Sequence, residues 1–69
     1  MPSLQQATEL FVERATDADA GFAPSADERA LIETICERLD GIPLALELAA
    51  ARTRTMTVAD ILERLEDVT

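Results

Sequence analysis

Asp17, Asp19 and Glu28 fall at positions 1, 3 and 12 of a twelve-residue window, where a calcium-binding loop carries side-chain oxygens. The other places in the window do not supply the same chemistry. Position 5 is Gly21, which has no side-chain oxygen, and position 6 is Phe22, where the sharp turn of such a loop uses glycine. Ser25, three residues before Glu28, gives that acid a different use as half of a helix cap. The three acids therefore read as a solvated segment, and no metal-ligand set is expected.

Cys36 is the one thiol. A nucleophilic cysteine needs a base or a positive field to lower its pKa, and the chain contains no histidine. Cys36 lies on an apolar stripe, so a buried core thiol is the expectation. Glu47 is the lone charge within Leu44 to Ala51, with Arg54 two turns on as its expected partner. Acids are plentiful elsewhere, yet none sits beside a partner base, and no glycine-rich phosphate loop or Walker motif is present. No catalytic residue is expected, and the chain is read as a non-enzyme.

Four helical segments must position these residues. Ser3 with Gln6 forms a capping box, and Leu4, Ala7, Phe11 and Ala15 then recur at helical spacing, so a first helix is expected to about Ala15. Thr16 to Pro24 holds no period and reads as a loop, with Phe22 as an anchor folding it back. Ser25 and Glu28 repeat the capping box, followed by Ile32, Ile35, Cys36 and Leu39, and Gly41 supplies the left-handed stop. Pro43 opens a third helix at the first position, where its missing N–H is not needed. Because Leu44 to Ala51 is apolar almost all round, this helix is expected at the centre of the bundle. Leu48→Ala is accordingly expected to cost about 2–5 kcal/mol. Thr57 and Asp60 cap a fourth helix, with Met56 stapled onto Ile61, a stripe of Val58, Ile61, Leu62 and Leu65, and an Asp60–Arg64 pair.

Composition agrees with an all-α chain, a small helical bundle of about four helices. Sixty-nine residues form one domain at most, spanning 1–69. The apolar fraction of 48% suffices for a core, and alanine, leucine, glutamate and arginine, all helix formers, dominate. Six arginines against fourteen acids leave a net charge of −8, from which no direct nucleic-acid binding and no membrane association are expected. No stretch approaches the roughly 20 apolar residues that span a bilayer, and the first residues lack the basic and apolar regions of a signal peptide. A cytoplasmic location is the expectation, and a single cysteine excludes a disulfide scaffold.

The run Cys36-Glu37-Arg38-Leu39-Asp40-Gly41-Ile42-Pro43-Leu44-Ala45-Leu46-Glu47-Leu48-Ala49-Ala50-Ala51-Arg52 resembles the G-x-P region of STAND-class ATPases. It is nearest to bacterial regulators of the AfsR and LuxR-ATPase kind. Leu10-Phe11-Val12-Glu13-Arg14-Ala15 and Gly21-Phe22 are similar to the segment that precedes it in that family. The resemblance implies a small helical subdomain, a relative of the first ARC subdomain, following a P-loop domain in a larger regulator. It implies that Pro43 contacts the adenine side of a bound nucleotide, with Gly41 and Ile42 shaping the turn. ATP or ADP with Mg would belong to the intact parent, the chain itself holding no cofactor. The implied partner is the adjacent P-loop domain of the same parent, and apolar surface left uncovered allows weak self-association. The implied role is to couple nucleotide state to domain rearrangement in a transcriptional regulator. The alternative is a free-standing helical protein-protein interaction module.

Overall fold

The computed structural model describes residues 3–67. Four α-helices follow in order: α1 (Leu4–Ala18), α2 (Ala26–Arg38), α3 (Pro43–Ala51) and α4 (Val58–Glu66), with a short 3-10 turn at Arg52–Arg54 between the last two. The fold is a small all-α bundle. Met1, Pro2, Val68 and Thr69, included in the expected domain 1–69, lie outside the described residues.

Three of the four helix starts are set by reciprocal capping. The Gln6 amide donates to Ser3 Oγ at 3.2 Å while the Ser3 amide donates to Gln6 Oε1 at 3.0 Å. Ser25 and Glu28 repeat this at 3.2 and 3.0 Å, and Thr57 and Asp60 at 3.1 and 3.4 Å. Each box satisfies two of the amides that a helix start leaves without partners. Helix α3 has no side-chain cap, and Pro43 instead occupies its first turn.

Helix α1 runs to Ala18, three residues past the expected end. The Thr16 hydroxyl donates back to the Val12 carbonyl at 2.8 Å, and Arg14 pairs with Asp17 at 3.4 Å, so the last turn is held by its own side chains. Asp19 is extended, which ends the helix, and its carboxylate accepts the Gly21 amide at 3.1 Å. Phe22 is half-buried against the core, as expected of an anchor.

The bundle centre differs from expectation. Helix α1, not α3, makes the most of the core packing, with α2 and α3 both packed on it and α4 packed on α2. Ala7, Phe11 and Ala15 come at intervals of four along α1, so a fully buried phenylalanine is flanked by small residues that let the neighbours close in. Helix α3 buries Leu46, Ala49 and Ala50 but leaves Leu44 and Leu48 65% and 63% exposed. Leu48 is therefore not a core residue. An apolar sequence all round a helix is compatible with burial on every side and equally with an apolar outer face, and α3 takes the second course. Helices α3 and α4 meet chiefly through the 3-10 turn and stand apart over the rest of their length. The single ion pair joining α2 to α4, Arg38 to Glu66 at 3.1 Å, is exposed, so its contribution is about 0–1 kcal/mol.

Candidate functional site

Helix α2 closes through a pair of hydrogen bonds. The Gly41 amide donates to the Cys36 carbonyl at 3.0 Å, and the Asp40 amide to the Glu37 carbonyl at 3.1 Å. Both residues are left-handed, with φ of 55° at Asp40 and 66° at Gly41. The left-handed stop expected at Gly41 thus begins one residue earlier, at an aspartate, a type whose short polar side chain tolerates this region better than most. The Ile42 amide then donates to the Leu39 carbonyl at 3.1 Å, and its carbonyl accepts the Leu46 amide at 3.0 Å. Gly41, Ile42 and Pro43 are brought together on one corner, with Ile42 51% exposed and Pro43 also facing solvent. The corner is tied by backbone hydrogen bonds from Asp40, Gly41 and Ile42, and presents Ile42 and Pro43 outward.

A second feature went unread in the sequence. Helices α3 and α4 face each other across an open groove with a volume near 890 Å³, whose apolar lining includes Leu39, Ala45, Leu48, Ile61 and Leu65. The signal was present in the spacing of Ala45, Leu48 and Arg52, which marks a face of α3 turned away from Leu46 and Ala50.

The other singled-out residues serve the fold. Asp17 pairs with Arg14, Asp19 accepts the Gly21 amide, and Glu28 caps α2, so the three acids of the calcium-like window are engaged separately. Among the described residues no three histidine, cysteine or acidic side chains are grouped to hold a metal ion. The expected Glu47–Arg54 pair is not formed. Glu47 is exposed and acts at longer range on Arg14, whose pKa is raised first by its hydrogen bond to Glu13, then by Asp17, and more weakly by Glu47. Asp60 closes the α4 cap, and no ion pair joins it to Arg64 among the described residues.

Cys36 is buried in the core, as expected. Burial pushes its thiol pKa up, the neighbouring Thr8 side chain opposes the rise, and Glu33 adds to it. The folded chain therefore keeps this proton to higher pH than the unfolded chain. The stability so contributed is fully present below the ordinary thiol pKa and is lost as pH rises through the raised folded value. The sequence has no lysine and no tyrosine, so Cys36 is the side chain whose titration above the ordinary thiol range can be read without overlap from those types. The urea midpoint is expected to fall as pH rises above the ordinary thiol pKa in the parent chain and to stay level in Cys36→Ala. Equal pH dependence in the two would remove Cys36 as the cause.

No family model matches the chain, and no solved structure matches it. It is 52% identical over 61 residues to an uncharacterized protein of Mycobacterium tuberculosis, a match covering 88% of this chain and 16% of that protein. It is 45% identical over 67 residues to a protein of Mycobacterium tuberculosis named "Putative HTH-type transcriptional regulator", covering 97% of this chain and 8% of that protein. A protein of the same name in Mycobacterium bovis matches equally. The chain thus spans about 16% or less of the length of these relatives.

These names correct the expectation that nucleic acid is not a partner. The helix-turn-helix is a DNA-binding motif, and a protein named as a putative HTH-type transcriptional regulator is matched over nearly the whole of this chain. A net charge of −8 gives the mean field of the chain and does not by itself exclude a nucleic-acid partner. Among the described residues no helix is long and apolar enough to cross a membrane. The chain is similar over almost all its length to a segment of proteins named as transcriptional regulators.

Proposed function

We propose that the chain is the helical module of a nucleotide-switched transcriptional regulator of the STAND type, with Gly41, Ile42 and Pro43 forming the base-side wall of its ATP or ADP site. The observation that carries this is the corner at Asp40–Pro43: two successive left-handed residues turn the chain sharply and leave Ile42 and Pro43 outward. A nucleobase has a flat, weakly polar face, which the outward Ile42 and Pro43 fit. The phosphates do not fit here, since the chain has no lysine and no glycine-rich cradle. Bound nucleotide with Mg would supply the charge difference between the triphosphate and diphosphate states.

The chain's own part is mechanical. A ligand shifts a two-state equilibrium only by contacts that differ between the states. The corner is fastened to α2 by three backbone hydrogen bonds and runs directly into α3, which packs on α1. A displacement at Ile42 and Pro43 is therefore passed to the whole bundle. No catalytic step is assigned to this segment. The names of the relatives support DNA as the target of the whole regulator, and a cytoplasmic location goes with this reading.

The test uses the intact regulator. Pro43→Ala is expected to speed ADP loss by about 10-fold, equivalent to about 1.4 kcal/mol. The same change should alter the stability of the 69-residue chain by no more than about 1 kcal/mol, because alanine is tolerated at a helix start. Unchanged ADP release removes Pro43 from the site. ATP added to the 69-residue chain alone is expected to leave its amide spectrum unchanged at physiological concentration, because one wall does not offset the cost of immobilising the ligand.

A further inference from the structure

The far end of α3 lies nine residues from the corner, about 13 Å at 1.5 Å per residue, and carries a different surface. Between Glu47 and Asp60 the sequence holds no acid, yet Arg52 and Arg54 both fall there, in a chain whose net charge is −8. The 3-10 turn at Arg52–Arg54 gathers them with Leu48, Ala51 and Thr55 around an open cleft with a volume near 510 Å³. Among the described residues no acidic side chain lines this cleft. Glu47, the acid that precedes Leu48, acts on Arg14 of α1.

Arginines at the end of a helix commonly serve its last carbonyls. Here those carbonyls are met without them. The Arg52 amide donates to the Ala49 and Ala50 carbonyls, and the Thr53 hydroxyl donates to Ala50 at 2.7 Å. The Arg52 carbonyl accepts the Thr55 and Met56 amides at 3.0 and 2.9 Å. Among the described residues, the side-chain hydrogen bonds and ion pairs made by arginine belong to Arg14 and Arg38. Both side chains of the turn are exposed, and their N–H groups are open to an outside acceptor.

A guanidinium presents its N–H groups as a planar fork that matches a carboxylate or a phosphate. Two observations favour the carboxylate. A chain at −8 repels a phosphate dianion about twice as strongly as a single carboxylate. Leu48, 63% exposed, and Ala51 add an apolar lining that suits a side chain next to the acid and gives nothing to a bare phosphate.

We propose that the Arg52–Arg54 turn binds an acidic, partly apolar peptide segment of a partner protein, with its carboxylate on the two guanidiniums and a neighbouring apolar side chain on Leu48 and Ala51.

The test titrates the 69-residue chain with a peptide of about six residues, blocked at both ends and alternating leucine with glutamate, beside a twin with glutamine for every glutamate. The glutamate peptide is expected to bind saturably and to shift the amides of Leu48, Ala51, Arg52, Arg54 and Thr55. The glutamine twin should bind at least about 10-fold more weakly, and raised salt should narrow the gap. Arg52→Gln with Arg54→Gln should weaken the glutamate peptide about 10-fold. Arg29→Gln with Arg38→Gln changes the net charge equally and should leave the affinity within about 2-fold. All four arginines are exposed, so circular dichroism melts are expected to show folded variants. Equal binding of the two peptides, saturable binding of neither, equal loss in the two double variants, or shifts confined to residues outside the cleft would each overturn the proposal. So would inorganic phosphate shifting the same amides at lower concentration than the glutamate peptide, since the turn would then be a phosphate site.

Discussion

Leu46→Ala will lower the unfolding free energy by about 2–5 kcal/mol in a urea melt, while Leu48→Ala, two residues on, will change it by less than about 0.5 kcal/mol. Leu46 is fully buried where α3 meets α1, so truncation leaves a cavity whose lining loses its contacts. Leu48 is 63% exposed and faces the groove, where water replaces the lost side chain. At about 0.05–0.15 kcal/mol per residue, a chain of 69 residues has roughly 3–10 kcal/mol in total. The first substitution therefore removes a large share of the stability and the second almost none. Equal costs at the two positions would mean that α3 is packed on all sides, contrary to the exposures seen here.

Gly41→Val will destabilise the chain by about 2 kcal/mol. Gly41 sits at φ 66°, and an L-residue in that region pays roughly 1–2 kcal/mol, with β-branching at the upper end. The strained residue is also the donor of the long closing bond to Cys36, so the end of α2 loosens with it. Asp40→Gly acts in the opposite sense at φ 55°, with relief of strain partly offset by the entropy of the unfolded chain, for a gain under about 1 kcal/mol. Thermal melts resolve both, since each kcal/mol moves the midpoint by roughly 4–8 °C in a domain of this size. A Gly41→Val midpoint within 2 °C of the parent would show that the corner can be rebuilt with ordinary backbone angles.

Helix starts were the most legible part of the sequence. Ser3, Ser25 and Thr57 act within three residues, so all three capping boxes follow from local spacing alone. The end of α1 was less legible, because the Thr16 hydroxyl and the Arg14–Asp17 pair extend a helix whose apolar period has already stopped. The centre of the bundle was misjudged because burial of Leu44 and Leu48 depends on where α4 lies, which no local pattern encodes. At the corner, spacing announced a stop at Gly41, but that Asp40 shares the left-handed conformation depends on the closure of the whole turn. The groove escaped notice for the same reason as the centre. It exists only because α3 and α4 choose different partners.

The packing order α3–α1–α2–α4 also decides what the chain does when it is cut. Helix α3 leans on α1 and α4 on α2, so the two halves on either side of the Asp40–Pro43 corner are interleaved and not stacked end to end. The second half has little internal cohesion, since its helices touch mainly through the 3-10 turn, and the first half is left with two stripped faces. Neither half is therefore expected to fold alone. A single proteolytic nick at the exposed corner would therefore leave a complex held by the full core under native conditions, yet one whose pieces cannot refold separately once parted.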